Sequence, residues 1–266
     1  MGAMNAKRAK GIRSGSFFCA AMLAIAVSIC ACHAPRRATL TLSVAASVKD
    51  AILETEAAYQ RDHAAIEFRN NFGSSGTLAR EIEEGAPVDA FISAASKPMD
   101  DLETKGLIAS GTRRNLLRNS LVLIAPLDSP LRDFQGLADP SIRLIALGDP
   151  ASVPAGQYGR QTLAALHLFD RLNKKVVMGG DVRQVLTYVE TGNADAGIVY
   201  VTDAQSSSRV RIVAFAPDWS HDAIVYPAAV VKASQSGGAT RDFIDYLGNP
   251  EAQAIFVKHG FTMATP

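Results

Sequence analysis

Beyond residue 38 the chain has no cysteine: Cys19, Cys30 and Cys32 all fall near its start. The folded body therefore has no disulfide to form and no thiolate cluster for a metal. A basic surplus is missing too. After residue 38 there are 21 Lys and Arg against 26 Asp and Glu, a formal net of −5, which leaves no basic stripe for nucleic acid. Only His63, His167, His221 and His259 remain in the body, scattered singly with no i, i+4 pair. That argues against a histidine metal site. The loop "GSSG" (Gly73–Gly76) is one residue short of the Gly-x-Ser-x-Gly elbow, and no histidine motif accompanies it. A secreted serine hydrolase is thus a remote alternative. No lysine follows Gly76, so a nucleotide P-loop is weaker still. Internal repeats and low-complexity tracts are absent as well.

One long apolar run is present. "FFCAAMLAIAVSICAC" (Phe17–Cys32) follows Lys7, Arg8, Lys10 and Arg13 with no acid among them. A basic start and an apolar run of roughly 15 residues read as an export signal, short for a membrane span; an uncleaved anchor is the alternative. Ala31–Cys32 resembles a lipobox, leaving lipidation at Cys32 and simple cleavage nearby both open. A lipid would tether the protein to a membrane instead of leaving it free in the periplasm. Residues 1–38 are read as this signal plus a short linker. The remaining body can bury a full core, as one large domain or two small ones.

Along the body, apolar strand patterns alternate with helical ones. Strands are expected over Ala38–Ser47, around "AAIEFRN", over Val88–Ala94, Asn119–Pro126, "SIRLIALGDP", "KKVVMGG", "ADAGIVYVTDA" and Ala223–Ser234. Helices are expected over Val48–Asp62, Thr77–Glu84, Pro98–Lys105, after "VPAG", over Asp181–Gly192, Ala239–Leu247 and Pro250–His259. Such alternation indicates an α/β fold with parallel sheet and right-handed crossovers.

Several helix starts share a character. Ser47 and Ser75 each sit where a strand gives way to a helix; a plain N-cap would explain either one alone. Val153–Gly156 opens a third helix without a capping side chain, and "GDVR" (Gly180–Arg183) opens a fourth. In a parallel α/β sheet these turns gather on one edge, so their N–H groups and dipole ends can converge on an anion. Each dipole is worth about 0.3–1 kcal/mol when exposed. Micromolar-to-nanomolar binding needs about 8–12 kcal/mol, so direct hydrogen bonds must supply most of it. Asp181 is expected to cap its helix, because a carboxylate would repel an anion.

"VAAS" (Val44–Ser47), "GSSGTLAREIEEGAPVDAFISA" (Gly73–Ala94), "GDPASVPAGQY" (Gly148–Tyr158), "DVRQVL" (Asp181–Leu186) and "AGIVYVTDA" (Ala196–Ala204) together resemble the periplasmic molybdate-binding proteins of ABC importers. The similarity runs from about Thr39 to Phe261. It implies a two-lobed type II periplasmic binding protein, each lobe a mostly parallel sheet flanked by helices. Lobe one would be residues 39–118 plus 225–266 and lobe two 119–224, with crossings near Arg118 and Ala223–Tyr226. The resemblance further implies that Ser47 and Ser75 offer a hydroxyl and an amide each. Ala155 and Val182 would offer amides, and Tyr200 its phenol. Gly76 departs from a more serine-rich version of the loop. The implied ligand is molybdate, with tungstate a near-equal and another oxyanion such as sulfate the alternative. No cofactor or catalytic residue is implied, and molybdenum would be held only as its oxyanion. The implied partners are a membrane permease and its ATPase, with the receptor itself a monomer.

Overall fold

The computed structural model describes residues 37–264. The apolar leader and Cys32 lie outside the described residues. From its N-terminal end the fold runs β1 (Ala38–Ala45), a 3-10 turn (Ala46–Val48), α1 (Lys49–Asp62), β2 (Ile66–Gly73), α2 (Ser75–Glu83), β3 (Ala90–Ile92), α3 (Ser96–Thr104) and β4 (Arg114–Arg118). Then come β5 (Leu121–Pro126), β6 (Ile145–Gly148), α4 (Pro154–Ala165), α5 (Phe169–Leu172), β7 (Val176–Gly179), α6 (Val182–Glu190), β8 (Ala196–Tyr200), α7 (Val201–Gln205) and β9 (Val210–Phe215). The chain ends with β10 (Val225–Val230), α8 (Gly237–Tyr246), α9 (Pro250–Lys258) and β11 (Thr262–Met263).

Two sheets organise these elements. The first has the order β11-β4-β10-β3-β1-β2, the second β7-β6-β8-β5-β9. The chain leaves the first sheet through the two residues between β4 and β5, and returns between β9 and β10. The α/β, two-lobed class holds, while the sheets are mixed in strand direction. β1–β2, β1–β3, β6–β7 and β6–β8 pair in parallel. The pairs β3–β10, β4–β10, β4–β11, β5–β8 and β5–β9 are antiparallel. The helical crossovers expected from the sequence account for the parallel half. Most of the other half comes from β4, β9 and β11, which the sequence pattern does not mark as strands, and from the returning β10; the β5–β8 pair joins two expected strands in the antiparallel sense. β4 is three-fifths exposed and β11 has only two residues, so neither carries a clear apolar signature.

Burial explains why these elements hold. Leu40, Leu42 and Val44 alternate along β1 and are fully buried, as period-2 geometry requires. In α6 the buried residues Val182, Val185, Leu186 and Val189 follow i, i+3, i+4, i+7, one apolar stripe against the second sheet. Each such side chain contributes about 1.5–3 kcal/mol. Pro227 lies inside β10 and lacks an N–H, and the β4 ladder shifts register between Tyr226 and Pro227, as a proline in a strand demands. α3 closes on Gly106 at φ +68°, with Leu107 N–H returning to Leu102 O, the left-handed cap expected there.

Candidate functional site

The strand-to-helix turns of both sheets meet at one small cavity. Its wall is formed by Ala45–Ser47, Gly73–Ser75, Ala94, Val153–Ala155, Val182 and Tyr200. All five residues singled out in the sequence border it: Ser47 and Ser75 from the first lobe, Ala155, Val182 and Tyr200 from the second. The cavity's volume is about 10 Å³, about what one water molecule needs and far below the roughly 300–1,000 Å³ of sites for drug-sized organic ligands. No charged side chain lines it.

Local geometry explains each placement. α4 starts at Pro154 with no side-chain cap. Gly156 and Gln157 donate back to Val153 O at 2.9 and 3.0 Å, whereas the Ala155 amide sits in the first turn, where a helix offers no acceptor. This start is pressed onto the end of β6. A Cβ on Gly156 would lie 1.9 Å from Gly148 O, so only glycine permits the approach that brings Ala155 to the wall. α6 starts at Val182. Asp181 caps it by accepting from Gln184 N–H at 2.9 Å, which leaves the Val182 amide, again in the first turn, for the cavity. The Asp181 carboxylate is thereby occupied, as expected from the sequence.

Neither serine is a simple cap. The residue capping α2 is Ser74, which accepts from Thr77 N–H at 3.3 Å. Ser75 begins the helix itself, is 1 % exposed, and accepts from Ala94 N–H at 2.9 Å. Ser47 lies in the 3-10 turn before α1 with no side-chain capping bond there; its hydroxyl meets the Tyr226 phenol at 3.0 Å. Neither hydroxyl has a histidine partner, so the base a serine nucleophile needs is lacking. Among the described residues no group of three or more His, Cys, Asp or Glu could hold a metal ion.

Tyr200 closes the cavity from the second lobe, 1 % exposed, its phenol 3.4 Å from Ala94 O. Burial, with Tyr226, Tyr158 and Asp203 nearby, pushes its pKa well above the usual tyrosine value. The phenol therefore stays protonated and remains a donor.

Two contacts outside the cavity span the lobes. Gly76 N–H donates to Ser152 O at 2.9 Å, and a Cβ on Gly76 would fall 2.6 Å from that oxygen. The sequence comparison read Gly76 as a lost hydroxyl; the structure gives the glycine a steric reason. On the other side Arg183, next to Val182, points away from the cavity. Its Nη2 donates to Asp50 Oδ2 at 2.8 Å and its Nε lies 2.7 Å from Asp203 Oδ1. Asp203 is fully buried, and burial lifts its pKa to about 6 against the pull of Arg183.

Sequence reasoning missed Tyr226 and Asn119. Asn119 Nδ2 donates to Thr202 Oγ1 at 2.9 Å and to the Tyr226 hydroxyl at 3.2 Å. The tyrosine is 179 positions from Ser47, and nothing local marks it.

Comparisons with known proteins bear on the family and the fold. Residues 40–262 match the family model described as bacterial extracellular solute-binding protein. A putative ABC transporter substrate-binding lipoprotein, YvgL of Bacillus subtilis, is 45% identical over 229 residues, covering 85% of this chain and 87% of its own. The molybdate-binding protein ModA of Haemophilus influenzae is 39% identical over 230 residues, covering 85% and 90%. Among solved structures, the Azotobacter vinelandii periplasmic molybdate-binding protein superposes with a TM-score of 0.77 at 25% identity, over 85% of this chain and all of that one.

Proposed function

Because the chain belongs to the bacterial extracellular solute-binding protein family, we propose that it is the extracytoplasmic receptor of an ABC importer and captures molybdate, or tungstate, between its lobes. It is a binding protein, not an enzyme. Ser47 and Ser75 would each supply a hydroxyl and an amide, Ala155 and Val182 an amide, and Tyr200 its phenol. Lobe one would be residues 39–118 plus 225–266 and lobe two 119–224, closing over the guest about the two connections. The leader would export the chain, with a lipid on Cys32 as the means of tethering it. A permease and its ATPase would be the partners.

The observation that carries this reading is the character of the wall. It holds hydroxyls and first-turn amides from both lobes and no charged side chain. Ser75 already accepts a backbone N–H, so its own proton points to any guest. A fully deprotonated tetrahedral dianion uses only donors. Hydrogen phosphate brings a proton with no acceptor to receive it, a cost of about 1–3 kcal/mol.

Sulfate also lacks a proton, and the donors alone do not refuse it; it is the second reading. Thermal shift with molybdate, tungstate, sulfate and phosphate in turn decides. A ligand at 100 times its Kd stabilises by about 2.7 kcal/mol. A shift with molybdate and tungstate far exceeding those with sulfate and phosphate is expected. A larger shift with sulfate moves the assignment to that anion, and no shift with any of the four ends it.

A further inference from the structure

Hydrogen-bond direction can be followed from the connection between the lobes to the cavity. Asn119 sits in the two-residue link between β4 and β5. Its Oδ1 accepts from Ser120 N–H at 2.9 Å, which sets the amide orientation, since the flipped form would face one N–H with another. The Nδ2 hydrogens are then both spent, one on Thr202 Oγ1 and one on the Tyr226 hydroxyl. Tyr226 is fully buried, so its own proton needs an acceptor. Ser47 Oγ lies 3.0 Å away. With Tyr226 accepting from Asn119 and donating to Ser47, the Ser47 proton is left for the cavity it borders.

We propose that Asn119 and Tyr226 are positioning residues that hold the Ser47 hydroxyl as an obligate donor, and so make the site discriminate against protonated oxyanions. The inference rests on the reading of the cavity as an oxyanion site and adds the device that sets its selectivity. Ser75 is fixed the same way by a backbone amide, which no side-chain change removes. Ser47 depends on a side-chain relay, which substitution can reverse.

The test is calorimetric titration of the purified protein with molybdate and with inorganic phosphate. Tyr226→Phe removes the donor to Ser47, whose hydroxyl can then turn and accept. Molybdate binding should weaken about tenfold, with a loss of at least tenfold in the preference for molybdate over phosphate. Asn119→Asp is nearly isosteric but offers an acceptor where the amide donated. The relay then runs backwards, Ser47 presents a lone pair, and the preference falls further. Equal weakening of both anions, or an unchanged preference, in whichever variants retain the wild-type melting profile overturns the relay. Failure of the unaltered protein to take molybdate, tungstate or sulfate is a separate outcome and overturns the functional reading first.

Discussion

Removal of one oxygen from Tyr200 tests the cavity most directly. In the structure the phenol's hydrogen bond is long, 3.4 Å to Ala94 O, near the outer limit for such a bond, with Tyr226 its neighbour. Losing it should cost the ligand-free protein less than about 1 kcal/mol. With an anion bound, the same hydroxyl would donate to a charged oxygen. Such a bond is worth about 1.5–3 kcal/mol, which converts to roughly a 10- to 150-fold rise in Kd. Tyr200→Phe should therefore separate two quantities that usually fall together. The ligand-free melting temperature should stay close to wild type, while the molybdate isotherm shifts by one to two decades. Calorimetry in competition mode, with parallel thermal melts, reads both. A Kd within twofold of wild type would return Tyr200 to the role of a buried sheet aromatic. A large loss of ligand-free stability would show that the Ala94 contact matters more than its length implies.

Glu56, 4 % exposed, has its pKa raised to about 7 by burial, partly offset by the Asn70 amide that donates to Oε2 at 2.9 Å. Its Oε1 and Asn70 Oδ1 are buried without partners, and a proton on the carboxyl supplies the donor they lack. A raised folded pKa favours the protonated form, so this stabilisation is complete below about 4.5 and lost as pH rises through 7. The span is roughly 3 kcal/mol; urea titrations at pH 5 and 8.5 should show wild type losing about that much more than Glu56→Gln, and parallel pH profiles would refute it. Ser75→Asp puts a carboxylate into an uncharged wall, and molybdate binding should vanish by calorimetry while the fold persists; retained tight binding would remove Ser75 from the site. Gly76→Val drives a branched side chain into Ser152 O, already 2.6 Å from a Cβ. Molybdate should dissociate at least tenfold faster by stopped flow with ligand-free stability unchanged, and a wild-type off-rate would mean the lobes close without that contact.

The parts of this molecule written locally could be read from sequence. Apolar periodicity located β1, α1, α6 and β8, Asp181 announced its own cap, and Gly106 the end of α3. Strand direction was less legible, because β4 and β9 alternate weakly and their partners lie far away in the chain. The site divides the same way. Ser47 and Ser75 carry hydroxyls at strand ends and invite attention. Ala155 and Val182 act through main-chain amides, which leave no mark in a side-chain alphabet; only the family resemblance selected them. Ser74 and Ser75 are indistinguishable in sequence and both border the cavity, yet one caps α2 and the other accepts from Ala94 N–H. That choice is made by where Ala94 N–H points, a tertiary fact. Asn119 and Tyr226 were invisible for the same reason, each meaningful only through a partner across a lobe connection.

The contact between Gly76 and Ser152 is made wholly of main chain, and the wall of the cavity contains no group that ionises near neutrality. Within the cavity, then, nothing answers to acidity or dissolved salt; outside it the Arg183–Asp50 bridge between the lobes, and the buried Asp203 carboxyl beside it with its pKa lifted to about 6, do. Outside the cytoplasm, where both drift with the surroundings, the receptor's grip should vary with acidity as the guest itself gains or loses protons and, separately, as Asp203 titrates around pH 6 beside that bridge. Above about pH 7, where Asp203 is ionised, affinity measured across pH should therefore trace the titration curve of the free anion.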